Sequence, residues 1–159
     1  MMKQPLNKGV SFGLTSGAIT TLGLMVGLHS ETKSAAVVLG GILTIAVADA
    51  FSDALGIHIS EEAESQHTPR EIWRSTVATF LTKFVFAMSF LVPILLLSLS
   101  AAIIVSVTWG LSVLAVLSYL IAKNQRERPW KVIGEHLGVA ALVIIIAHFL
   151  GDWISSYGK

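Results

Sequence analysis

The chain has 159 residues, of which 53% are hydrophobic and 13% charged, with a net charge of +1 and no cysteine. Its mean hydropathy is +0.73, whereas a soluble domain usually carries about 25% charged residues. These figures exclude a soluble catalytic domain, a nucleotide-binding fold and a nucleic-acid reader. They also exclude disulfides, iron–sulfur clusters and thiolate metal sites.

A helix needs about 20 apolar residues to cross a bilayer. The apolar runs predict a single all-α transmembrane domain over residues 1–159, with five spans at about 10–28, 35–58, 75–97, 101–122 and 132–154. The first run is longer than a signal-peptide core and has no convincing cleavage site, so it is expected to stay in the protein. Its residues are small. Gly9, Gly13 and Gly17 are spaced by four, as are Gly23 and Gly27, and Thr15, Ser16, Thr20 and Thr21 add hydroxyls. Small residues at that spacing let helix backbones approach closely. With an odd number of spans, a two-fold homodimer is the expected assembly, with Gly13, Gly17, Gly23 and Gly27 at its interface.

The second span carries Asp49 and Asp53, one helical turn apart and so on one face. Ionisable groups at the bilayer centre cost at least about 2.5–3.5 kcal/mol each, so each needs a reason. Two like charges at that spacing compete for positive charge, and the pair reads as a cation site or a proton switch. A polar seam satisfied by neighbouring helices is the plainer alternative.

Between the second and third spans, residues 59–74 are polar and are expected to form a cytoplasmic loop. Glu61, Glu62, Glu64 and His67 there are candidates for collecting cations, or else form an ordinary solvated turn. Ser60 with Glu64, or Thr68 with Glu71, has the spacing of a helix cap.

In the third span Lys83 lies about two turns from Arg74, and its long stem is expected to snorkel to the cytoplasmic interface; pairing with Asp49 or Asp53 is the alternative. Pro93 is expected to kink the same span. The third and fourth spans are joined by residues 98–100 only, so they must be an antiparallel pair. The fifth span opens near Glu135 and His136 and closes near His148 and Asp152, which are spaced by four; that last pair is either a proton or ion-pair partner or simply interfacial, beside Trp153 and Tyr157.

Lysines and arginines set the orientation, since cytoplasmic loops carry the excess. With the amino end inside, Lys3, Lys8, Arg70, Arg74, Lys123, Arg126, Arg128 and Lys131 fall inside and only Lys33 and Lys159 outside. The charge count thus predicts a cytoplasmic N terminus and an external C terminus, and the compact loops and lack of a sorting extension point to a multi-pass protein of a prokaryotic plasma membrane.

Residues 11–24 (SFGLTSGAITTLGL), residues 50–56 (AFSDALG) with Ser60, and the closing run from Gly134 to Gly151 together resemble the vacuolar iron transporter family across nearly the whole chain. That family comprises five-span carriers of ferrous iron or manganese. The resemblance implies a homodimer whose cation path lies between protomers, lined by the first two helices and run as an exchange against protons. This sequence departs from the family at its motif positions: Ser16 stands for an Asp, Asp53 for a Met, Ile57 for a Glu and Asp49 for a Gly. An oxygen-only site of Asp49 and Asp53 with Ser52, Ser16 and Thr20 suits harder divalent ions.

The expected function is thus export of a divalent cation, of the manganese or ferrous iron class, from the cytosol by proton exchange. The ion is cargo, no tightly bound cofactor is expected, and the partners are the bilayer, the ion, protons and a second copy. Alternatives are a non-transporting scaffold or a carrier of another solute. An intramembrane metalloenzyme joining Glu61 and Glu62 to His148 or Asp152 is disfavoured, because these groups fall at opposite membrane faces.

Overall fold

The computed structural model describes residues 4–157, with side chains from Asn7 onward; Lys3 and Lys159, both used to orient the chain, lie outside them. Six helices follow one another: α1 Gln4–Thr32, α2 Ala35–Glu64, α3 Pro69–Ser89, α4 Leu91–Leu96, α5 Leu99–Gln125 and α6 Pro129–Tyr157. No strand occurs among the described residues. Because α3 and α4 follow each other as one span, the described residues hold five helical segments long and apolar enough to cross a membrane. The protein is an all-helical, multi-pass membrane protein.

The least apolar span, α1, is also the most buried, and it packs against α3, α6, α2 and α5. Its glycines explain this. A Cβ at Gly9 would collide with the Ser75 carbonyl oxygen, and one at Gly13 would lie 2.7 Å from that of Thr79. Gly17 sits beneath Lys83 and Phe86, Gly23 meets Val143 of α6, and Gly27 meets Ala147. The glycines spaced by four therefore seat α3 along one end of α1 and α6 along the other. Gly13, Gly17, Gly23 and Gly27, expected at a dimer interface, thus each meet a helix of the same chain. The apolar core is continuous around α1, with Leu22 and Met25 among Ile42, Phe90 and Leu114.

The polar stretch 59–74 is not a loop. Residues 59–64 complete α2 and residues 69–74 open α3, leaving only 65–68 as the turn. Ser65 at φ 53° reverses the chain, and the Glu71 carboxylate accepts hydrogen bonds from the Thr68 backbone N–H (3.0 Å) and hydroxyl (2.8 Å), fixing the start of α3. Ser60 lies inside α2, so no cap forms with Glu64. The α3–α4 break falls at Phe90, three residues before Pro93. Pro93 has no N–H for the Ser89 carbonyl, which accounts for a break at this position.

Candidate ion site

The bundle has two ends, the α1–α2 end and the α2–α3 end, each marked by its turn. Two antiparallel hairpins, α1–α2 and α2–α3, bring the middle of α2 against both neighbours. At that level Asp49 and Asp53 of α2 face Lys83 of α3 and Ser16 of α1. The Lys83 Nζ forms ion pairs with Oδ2 of Asp49 and with Oδ2 of Asp53, the latter at 2.5 Å, and donates to the Ser16 hydroxyl at 2.8 Å.

Lys83 does not snorkel. Its side chain is 1% exposed, while those of Asp49 and Asp53 are 29% and 18% exposed. The reason is its place on α3: Ser75, Thr79 and Lys83 recur every four residues on the buried stripe that runs along the Gly9, Gly13 and Gly17 face of α1. A lysine on that stripe has its stem packed over Gly17 and no apolar path to the surface. Thr79 ties the same seam by donating to the carbonyls of Gly9 and Ser75, at 3.2 and 2.9 Å.

Thr20, Asp49 and Ser52 line one groove between α1 and α2, together with Thr44 and Leu24. Thr20 spends its hydroxyl on the Ser16 carbonyl at 2.8 Å, and Ser52 is exposed, so neither touches the ion cluster directly. Asp49 thus lines the groove, while Lys83 closes the pair from within the bundle. Formally the cluster of two carboxylates and one ammonium carries a charge of −1. Its positive member stands where a cation between the two aspartates would stand.

Comparison with known proteins gives no match, whether to a family model, a curated protein or a solved structure.

Nearer the α2–α3 end, Glu61 is fully buried. Its Oε1 lies 2.6 Å from the Lys8 Nζ and its Oε2 lies 2.7 Å from the His67 Nδ1. Lys8 also reaches Glu64, at 2.9 Å. Glu62 points elsewhere and is exposed, 3.6 Å from His58. Of the four residues expected to collect cations, three converge and Glu62 does not.

In α6, His136 Nδ1 lies 2.8 Å from the Ser118 hydroxyl, which itself donates to the Leu114 carbonyl at 2.6 Å. Glu135 is exposed, 3.9 Å from Lys131. At the α1–α2 end His148 Nδ1 lies 2.5 Å from the buried Ser30 hydroxyl, and its Nε2 is 3.5 Å from Asp152. The contacts to Ser30 and Ser118, and that of Lys8 with Glu61, are absent from the sequence reading. Hairpin geometry carries part of the missing signal: α2 folds back on α1 after residues 33 and 34, so Lys8, near the start of α1, meets Glu61, near the end of α2. Glu61 and Glu62 at one end and His148 with Asp152 at the other are separated by most of the length of α1.

Proposed function

We propose that this chain is a membrane carrier that exchanges a divalent cation, of the manganese or ferrous iron class, for protons. The observation that carries this reading is the buried Lys83 ammonium held between Asp49 and Asp53, of which Asp49 lines the adjoining groove. An intramembrane charge cluster is costly unless it is paired, and it marks an ion or proton pathway more often than a structural joint. Lys83 acts as a tethered competitor. A divalent ion entering between the aspartates takes the position of the ammonium, and Lys83 gives up its proton. Two carboxylates, one dication and a neutral lysine sum to zero charge, against −1 with the ammonium in place. Ser16 supplies a neutral oxygen on the same side. Oxygen donors suit manganese and other hard divalent ions.

The cytosolic side is assigned to the α2–α3 end, where Arg70, Arg74, Arg126 and Arg128 lie, in a prokaryotic plasma membrane. The homodimer implied by the family resemblance would form on a surface other than the glycine faces of α1, which are filled within the chain.

A locked structural ion cluster is the competing reading, supported by Lys83, which already neutralises half of the charge of the pair. Uptake into proteoliposomes separates the two. Manganese, ferrous iron, calcium and magnesium are offered in turn to the wild type, Asp49→Asn and Asp53→Asn, each first shown to elute as the same species. Removing an ionic ligand should reduce transport at least about tenfold. Equal uptake in all three proteins, or none by the folded wild type, would leave the cluster as a structural joint.

A further inference from the structure

We infer that Glu61, Glu64 and His67 form a second divalent-cation site, distinct from the Asp49–Asp53 cluster, with Lys8 as its resident counter-charge. One donor atom from each of the three converges within 4.8 Å of the others, a spacing that one first-row ion can span. The set is more than an acidic patch. It contains an imidazole nitrogen, and Glu61 is a fully buried carboxylate whose close charged neighbours are Lys8 and His67 alone. Burying a carboxylate demands a positive partner, and here the partner is a side chain that is 41% exposed and so free to leave when a dication arrives.

The local fold builds the site. Glu61 and Glu64 share a face one turn apart at the end of α2, and the left-handed Ser65 turns the chain so that His67 comes back against Glu61. Lys8 arrives from the start of α1 because that helix runs antiparallel to α2. A donor set of two carboxylates and one imidazole selects a first-row divalent ion over magnesium or calcium.

The site stands nearer the α2–α3 end than the deeper cluster does. Glu61 is eight residues from Asp53, about 12 Å along the helix, and the buried Ile57 stands between them on α2. A role in loading that cluster would rest on the carrier reading; the binding site itself does not. Lys8 and Lys83 then play the same part at two depths, each an ammonium that holds a carboxylate pair until a metal replaces it.

The test is titration of the whole purified chain in detergent with Co²⁺, read by visible absorption, with Asp49→Asn/Asp53→Asn as background so that the deep cluster is silent. In that background one ion should bind with the spectrum of a nitrogen-containing site. Adding His67→Ala should remove the nitrogen signature, and Glu61→Gln should weaken binding at least about tenfold. Lys8→Met should tighten binding, since the competitor is gone. Binding indifferent to His67→Ala and Glu61→Gln, or weakened by Lys8→Met, overturns the site. Because His67 sits in the turn, its variant keeps the test decisive if Glu61→Gln does not fold. Cobalt binding without uptake by the wild type would sink the carrier and leave this site standing; uptake without this binding would do the reverse.

Discussion

Replacing Lys83 by methionine should lower the stability of the fold by about 3 kcal/mol, the lower part of the range for breaking a buried ion pair. The residue has no solvent route, and its removal leaves Asp49 and Asp53 facing each other beside Ser16. Partial exposure of both carboxylates keeps the penalty from being larger. A second change, Asp53→Asn, should recover most of the loss, because one carboxylate without a lysine is a smaller burden than two. Thermal unfolding in detergent, followed by loss of the monodisperse elution peak, reads both effects. A Lys83→Met protein as stable as the wild type would mean that the ammonium is not holding the cluster together.

The second large effect is expected at Gly151→Ala. A Cβ there would collide with the Gly27 carbonyl oxygen and would lie 2.9 Å from the Ser30 Cβ and 3.1 Å from the Glu31 backbone nitrogen. Two of the three are backbone atoms, so no rotamer change relieves the clash and α6 must move away from α1. Overpacking of this kind costs about 1–3 kcal/mol, and here it also pulls His148 from the Ser30 hydroxyl three residues away along α6. Gly138→Ala is the internal control. Nothing lies within 4 Å of its Cβ position, so the better helix propensity of alanine should stabilise by about 0.5–1 kcal/mol. If both substitutions behave alike, the α1–α6 approach is not as tight as its geometry implies.

The architecture was legible because bilayer thickness leaves a sequence little choice: five apolar runs become five spans. The end of α2 was harder to place. Residues 59–64 are polar enough to read as a loop, yet they continue the helix for two more turns, since Glu61 finds Lys8 and His67 rather than water. The glycine ladder of α1 correctly announced close helix packing, but spacing alone does not say whether the partner helix belongs to the same chain. Here Ser75 and Thr79 of α3 and Val143 and Ala147 of α6 fill it.

Lys83 shows the limit most clearly. Its distance from Arg74 allows snorkelling, and only its periodicity with Ser75 and Thr79 marks it as inward-facing. The α2–α3 hairpin then sets it against Asp49 and Asp53. That alignment depends on the turn lying at 65–68, which the longer expected loop had concealed. Ser30 and Ser118, each met by a histidine of α6, carry no mark in the sequence, because a serine in an apolar helix usually satisfies its own backbone, as Ser118 also does with Leu114.

Exchange through Lys83 makes one demand that a structural joint does not: the residue must be able to lose its proton. Arginine keeps the positive charge and cannot be deprotonated in a protein. The direct measurement is therefore manganese-driven proton flux in proteoliposomes of the wild type and Lys83→Arg, both first shown to be folded and of the same size. The wild type should take up manganese while protons move the opposite way, and Lys83→Arg should do neither. Equal exchange by Lys83→Arg, or manganese uptake by the wild type without proton movement, would contradict a displaceable, proton-bearing lysine at the centre of the carrier.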